Sequence, residues 1–72
     1  MSSTDMISAE MAKIAALRET GLMSARFLTV ELLSEQPPLY CLDYATDELR
    51  YCCYIDALTG EMLGLDFRPC ER

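Results

Sequence analysis

The chain has 72 residues, of which 51% are hydrophobic and 25% are charged, and this composition predicts one folded domain rather than a disordered segment. Twelve acidic residues against six basic ones give a net charge of -6, which argues against nucleic acid and anionic membrane as partners. No apolar run approaches the roughly 18 residues of a membrane helix, so we expect no membrane span.

The amino terminus has no basic segment followed by an apolar one, so the sequence as it stands predicts a cytoplasmic protein. An extracytoplasmic location stays open if the chain is an excised domain. We expect residues 1–72 to form a single domain, with a flexible start at 1–7 and an irregular tail at 68–72. The chain contains 4 cysteines, and reduced thiols are the expectation for a protein that is not exported.

The first predicted element is a helix from about Ala9 to Thr20. Ser8 is a suitable N-cap, and Gly21 stands where a left-handed residue commonly ends a helix. Apolar residues recur at spacings of three and four, which predicts one side that faces a sheet. The members of that side are Ile7, Met11, Ile14 and Ala15.

Four strands are predicted after the helix. They run from Arg26 to Leu33, from Leu39 to Tyr44, from Leu49 to Asp56, and from the residue after Gly60 to about Phe67. Pro37 and Pro38 interrupt the first pair, because proline cannot donate a ladder hydrogen bond. The fold class is therefore α+β, with one N-terminal helix packed on one face of a four-stranded antiparallel meander sheet.

The register of the strands decides which side chains share a face, because directly opposite residues point to the same side. A four-residue turn at Ala45–Glu48 would put Asp43 opposite Arg50 and Cys41 opposite Cys52. The same reasoning gives a face covered by the helix and an uncovered face that is largely apolar. The residues that we predict as a protein-contact surface on the uncovered face are Phe27, Leu39, Cys41, Cys52, Tyr54, Leu63 and Leu65.

The sequence contains no combination of residues that is typical of a catalytic site. Histidine is absent, which removes the commonest general base and the usual partner of a cysteine nucleophile. Cys52 and Cys53 are adjacent on a strand and point to opposite faces, so they cannot share a metal ion. Cys41 and Cys52 are either two reduced thiols or a cross-strand disulfide. We therefore expect no enzyme activity, no catalytic residues, no metal and no cofactor.

The hairpin around Asp56 has the clearest local signature. Asp56 can accept hydrogen bonds from the backbone just after it, and Gly60 can take the positive φ that closes the turn. The residues Tyr54-Ile55-Asp56-Ala57, followed by Thr59-Gly60-Glu61-Met62, resemble the final hairpin of the PepSY module. The helix around Ala12-Lys13-Ile14-Ala15 is similar to the one that opens such modules.

This resemblance implies a binding or inhibitory role. PepSY modules occur in propeptides of secreted metallopeptidases and in other exported or membrane-attached proteins, where they are thought to restrain peptidases or bind at surfaces. The first functional hypothesis is a noncatalytic protein-binding module, with a peptidase-inhibitory or regulatory role. The alternative is a structural, self-associating protein that forms a homodimer through its uncovered sheet face.

Overall fold

A computed structural model of the chain describes residues 6–70 and contains one helix followed by four strands. The four strands form one antiparallel sheet in the order β1-β2-β3-β4, and the helix packs on it. The predicted α+β fold is confirmed. The elements are α1 (Ala9–Thr20), β1 (Arg26–Leu33), β2 (Leu39–Ala45), β3 (Leu49–Asp56) and β4 (Met62–Pro69).

The two ends of the described chain are more regular than predicted. The Ile7 amide donates to the Ala57 carbonyl at 2.8 Å, so the chain is already held against the sheet before the helix begins. Strand β4 continues through Pro69, beyond Phe67 where the sequence suggested its end. The remainder of the expected flexible start and irregular tail, residues 1–5 and 71–72, lies outside the described residues.

The predicted caps of α1 are confirmed. The Ser8 side chain accepts a hydrogen bond from the Met11 amide at 3.2 Å, and Gly21 ends the helix with φ 72°. The predicted rotation of the helix is wrong, because Ile14 is 50% exposed. Ala12 and Ala16 are completely buried instead, as small side chains allow the helix backbone to approach the sheet closely.

Two tyrosines of β2 form hydrogen bonds with the backbone of the helix and of the residue before it, which shows how closely the helix approaches the sheet. The Tyr44 hydroxyl donates to the Ala16 carbonyl at 3.4 Å, and the Tyr40 hydroxyl donates to the Ile7 carbonyl at 2.9 Å. Both carbonyls belong to the helix or to its entry. A larger residue at the helix contact would hold the helix farther from these hydroxyl groups.

The turn between β2 and β3 is tighter than predicted. Thr46 Oγ1 accepts from the Leu49 amide at 3.2 Å, and Ala45 pairs with Arg50. The register is therefore shifted by two residues, which leaves the faces unchanged because side chains alternate with a period of two. Cys41 lies opposite Tyr54, and the predicted pairing of Cys41 with Cys52 is wrong.

Two β-bulges, one on each edge strand, change the faces themselves. The pairing shifts by one residue between Phe27 and Thr29 in β1, and again between Met62 and Gly64 in β4. A one-residue shift moves every side chain beyond it to the other face. Phe27 therefore lies opposite Tyr44.

The placement of two predicted contact residues on the uncovered face is accordingly wrong. Phe27 lies on the helix side, where the Lys13 ammonium is 5.4 Å from its ring centroid. Leu65 lies opposite the buried Cys53 and so faces the helix side as well. Both side chains lie on the helix side because a bulge interrupts the ladder of each edge strand.

The bulges complete an aromatic row across all four strands on the helix side. Ring centroids are 5.1 Å apart between Phe27 and Tyr44, 5.1 Å between Tyr44 and Tyr51, and 6.2 Å between Tyr51 and Phe67. Tilted and offset aromatic pairs at such distances stabilise a core beyond the area that they bury. We call Phe27, Tyr44, Tyr51 and Phe67 the aromatic row. The other buried side chains at the centre of the core are Ala12, Ala16, Tyr40, Leu42, Cys53, Ile55 and Ala57.

The hairpin between β3 and β4 has the predicted geometry. Asp56 Oδ1 accepts from the Leu58 amide at 2.8 Å and from the Thr59 amide at 3.3 Å. Gly60 has φ 81°, which confirms the predicted left-handed residue. This turn sets the start of β4 and therefore the side chains that β4 presents to each face.

Candidate functional site

The face of the sheet opposite the helix carries four of the predicted contact residues. Leu39, Cys41, Cys52 and Tyr54 all lie there, while Leu63 is the extra residue of the β4 bulge and is 51% exposed. Phe27 and Leu65, as shown above, do not belong to this face. The structure thus brings together the central part of the predicted surface and removes its two outer members.

The apolar part of this face is a short strip. Leu33 lies opposite Leu39, and Cys41 lies opposite Tyr54. We call these four residues the apolar strip. Tyr54 is 39% exposed and lies opposite Gly64, where an added Cβ would make an ordinary 3.7 Å contact with Tyr54 Cδ2.

The thiols of the sheet have chemistry that disfavours nucleophilic attack. Burial raises the pKa of the Cys52 thiol, and the neighbouring Cys41 raises it further. Burial also raises the pKa of Cys53 to about 11. Thiols with raised pKa values stay protonated at neutral pH, and the thiolate is the reactive form. These two cysteines are therefore poor nucleophiles.

All four cysteines are free in the structure. Cys41 and Cys52 are diagonal neighbours rather than opposite ones, and diagonal positions are about 7–8 Å apart in an antiparallel pair. Disulfides usually join Cα atoms about 4.4–6.8 Å apart. The corrected register therefore favours the reduced state of this pair.

The other end of the uncovered face is charged. Arg50 Nη2 donates to Asp43 Oδ2 at 3.1 Å, and this hydrogen bond raises the pKa of Arg50. The ion pair that the sequence suggested exists, but it is diagonal, because Asp43 lies opposite Cys52. Arg26 pairs with Ala45, Ala45 with Arg50, and Arg50 with Arg68. We call Arg26, Arg50 and Arg68 the arginine row.

The arginine row was missed in the sequence because two of its members depend on the bulges. With unbroken ladders, Arg26 and Arg68 would point to the helix side. A weak signal was present in the sequence: Arg26-Phe27 and Phe67-Arg68 each join a basic and an aromatic residue at the outer end of an edge strand.

Some exposed apolar surface lies outside the uncovered face. Phe67 is 63% exposed and Leu65 is 39% exposed on the helix side of β4, where the single short helix does not cover the sheet. Met11 and Ile14 are the exposed apolar residues of the helix itself. A contact surface is therefore available beside the helix as well as behind the sheet.

The described residues contain neither a cluster of metal ligands nor a membrane-spanning helix. Within residues 6–70, no group of three or more acidic or cysteine side chains is arranged to hold a metal ion. In that part of the chain the helix is also too short and too polar to cross a membrane. Searches of protein-family models, of curated proteins and of solved structures find no match to this chain.

Proposed function

We propose that this domain is a noncatalytic protein-binding module that uses the uncovered face of its sheet. The observation that carries the proposal is that the helix packs on one face only, while the other presents the apolar strip with Tyr54 39% exposed. Exposed apolar patches on small soluble proteins commonly mark partner sites. Tyrosine is a favourable central residue for such a contact, because its ring is apolar and its hydroxyl can donate a hydrogen bond.

The proposed partner is a peptidase that the domain inhibits or regulates. Support comes from the resemblance of the hairpin Tyr54–Met62 to the PepSY module and from the turn geometry that Asp56 and Gly60 adopt. Tyr54 begins this hairpin and also ends the apolar strip. The hairpin and the strip would thus form one continuous contact surface.

The inhibitory role can be tested on a secreted metallopeptidase whose own propeptide contains a PepSY module. Hydrolysis of a peptide substrate is measured with increasing amounts of the domain. We expect inhibition that weakens at least about tenfold in Tyr54→Glu, because a carboxylate at the centre of an interface is strongly unfavourable. Met23→Glu is the matched control, since Met23 is 98% exposed in the loop before β1. Absence of inhibition, or equal loss in both variants, would reject this role.

Self-association is the alternative function, and the composition of the apolar strip favours it. None of the four strip residues is charged, so two copies can meet over the strip itself if Glu31, which lies opposite Cys41 on the same face, stays in water at its edge. One patch serves as both halves of a two-fold interface. Sedimentation of the wild type and of Tyr54→Glu with Leu63→Glu, at tens of micromolar, tests this. A wild-type monomer that the added charges leave unchanged would reject the homodimer.

A further inference from the structure

The arginine row concentrates positive charge on an acidic protein. Three of the six basic residues of the chain, which has a net charge of -6, stand in one row of the sheet on the uncovered face. Neighbouring strands are about 4.8 Å apart, so the row spans roughly 15 Å from β1 to β4. Ala45 is the small residue between Arg26 and Arg50, and no bulky side chain separates these two.

Like charges directly opposite each other destabilise a sheet, and Arg50 lies directly opposite Arg68. Within residues 6–70, the only carboxylate within 4.0 Å of this row is Asp43, which binds Arg50. Two members of the row, Arg26 and Arg68, therefore present guanidinium groups without a carboxylate partner in the described chain. Three guanidinium groups and the Asp43 carboxylate give the row a charge of about +2, which Asp66 lowers toward +1 because it lines a neighbouring cavity with Arg50 and Arg68.

Arg50 also keeps hydrogen-bonding capacity. Its Nε atom is buried without a hydrogen-bond partner among residues 6–70, while Nη2 is bound to Asp43. A guanidinium carries five N–H donors in a planar fork that matches the oxygens of a carboxylate or phosphate. An unpaired buried donor is unfavourable, and an oxyanion that draws the side chain toward it would relieve this.

The three arginines line a single surface cavity. Its volume is about 490 Å³, and Pro69 and Cys70 complete its wall. The Cys70 amide donates to the Glu48 carbonyl at 3.0 Å, and its thiol lies 3.7 Å from the Thr46 carbonyl. These bonds fix the end of β4 to the turn between β2 and β3, so the wall of the cavity is built from ordered backbone.

We propose that this cavity is a binding site for a phosphate-type dianion, either free phosphate or the phosphoryl group of a small phosphomonoester. A phosphate-type dianion presents at least three oxygens to the three guanidinium groups, whereas a single carboxylate presents only two. Arginine forks bind phosphate oxygens in pairs, and three of them can surround one phosphoryl group. The cavity volume is larger than the volume of one phosphate ion, so there is space for a small group esterified to the phosphate.

The test uses the whole chain labelled with ¹⁵N, titrated at pH 8 and constant ionic strength. Three probes are compared: inorganic phosphate, glycerol 3-phosphate and acetate. We expect saturable shifts of the Arg26, Arg50 and Cys70 amides with both phosphates, and much weaker binding of acetate. Tighter binding of glycerol 3-phosphate would identify an ester as the occupant, and tighter binding of inorganic phosphate would identify the free ion.

Variants decide whether the arginine row is responsible. Arg26→Gln and Arg68→Gln should each weaken phosphate binding about tenfold, the effect of losing one charge-assisted contact. Arg18→Gln is the matched control, because Arg18 is an exposed arginine on the helix. Asp43→Asn removes the carboxylate that occupies Arg50 and should tighten binding several-fold.

Three results would overturn the site. Shifts that follow chloride and phosphate equally would show only general screening. Equal weakening by Arg18→Gln and Arg68→Gln would show nonspecific attraction to positive charge, and acetate binding as tight as phosphate would exclude a site for dianions. None of these readouts depends on a protein partner, so the outcome is separate from that of the proposed protein-binding function.

Discussion

The two faces of the sheet differ most at the end where adjacent residues of the four strands form the aromatic row on one face and the arginine row on the other. Each member of the aromatic row is followed or preceded by a member of the arginine row or by Ala45, so the two rows lie back to back. The aromatic row lies on the helix side of the sheet, and the arginine row lies on the uncovered face. The difference between these faces is set by the bulges, because each exchanges a phenylalanine and an arginine across an edge strand.

The physical reason for the exchange lies in the pairs that the bulges create. Phe27 gains contact with Tyr44 and Phe67 gains contact with Tyr51, at centroid distances of 5.1 Å and 6.2 Å. An unbroken ladder would place these phenylalanines on the uncovered face and direct Arg26 and Arg68 toward the helix side, where an unpaired charge near the core is unfavourable. Each bulge disrupts the ladder hydrogen bonds locally, which is unfavourable. Aromatic packing on one face and exposure of the arginine to water on the other offset this loss.

The largest predicted effect comes from removing the centre of the aromatic row. Tyr44 is fully buried, stacks on Tyr51, packs at a tilt against Phe27, and donates to the Ala16 carbonyl. Tyr44→Ala should lower the free energy of unfolding by about 3–5 kcal/mol, as other large aromatic truncations in cores do. Urea denaturation followed by circular dichroism measures it. Phe67→Ala, at the exposed end of the row, is the control and should lose about 1 kcal/mol or less; equal losses would contradict the role of the row.

The next effect concerns the side of the helix that meets the sheet. Ala12→Leu should lower the free energy of unfolding by about 1–3 kcal/mol, because added methyl groups at a fully buried position must displace the helix. Ile14→Ala should change it by about 0.5 kcal/mol or less, since half of that side chain is in water. Thermal unfolding of the two variants distinguishes them. A larger loss for Ile14→Ala would restore the rotation that the sequence suggested.

The positions of the core and of the helix face show how much of the fold the sequence alone can predict. The helix limits, Ser8, Gly21 and the turn at Asp56–Gly60 were predictable, because caps and turns depend on residues within a few positions of each other. The rotation of α1 was not, because both the stripe with Met11 and Ile14 and the stripe with Ala12 and Ala16 have helical spacing. Choosing between them requires knowing how closely the helix approaches the sheet, and a local sequence pattern does not contain that distance.

The candidate site was half predictable for a related reason. Cys41, Cys52 and Tyr54 lie on the central strands, where alternation is unbroken and an even error in register leaves the faces intact. Phe27, Leu65 and the arginine row lie beyond bulges on the edge strands. A bulge depends on the fit of side chains from several strands, so its position does not follow from the residues around it.

A third prediction tests the turn that sets the register of β4. Gly60 has φ 81°, a conformation that disfavours an L-residue by roughly 1–2 kcal/mol and a β-branched one more strongly. Gly60→Val should therefore lower the free energy of unfolding by at least about 1 kcal/mol. Gly64→Ala is the matched control, because its Cβ would make an ordinary 3.7 Å contact with Tyr54. Equal tolerance of both changes in thermal melts would show that the turn does not require a left-handed residue.

The smallest predicted effect separates two adjacent cysteines on opposite faces, Cys53 toward the helix and Cys52 away from it. Burial raises the pKa of Cys53 from 9.0 to about 11 in the folded protein. Between these values the unfolded chain loses the thiol proton while the folded chain keeps it, so the folded state binds more protons and its stability falls as pH rises. The contribution of Cys53 to the free energy of unfolding is complete below about pH 9 and is lost as pH rises through about 11. The part lost by pH 10 is roughly 1 kcal/mol.

Urea denaturation at pH 8 and pH 10 should show a smaller loss of stability in Cys53→Ala than in the wild type. Cys52→Ala, measured in the same way, should change this pH dependence less, and an equal change in both variants would show that the helix-covered face protects its thiol no better than the uncovered face does.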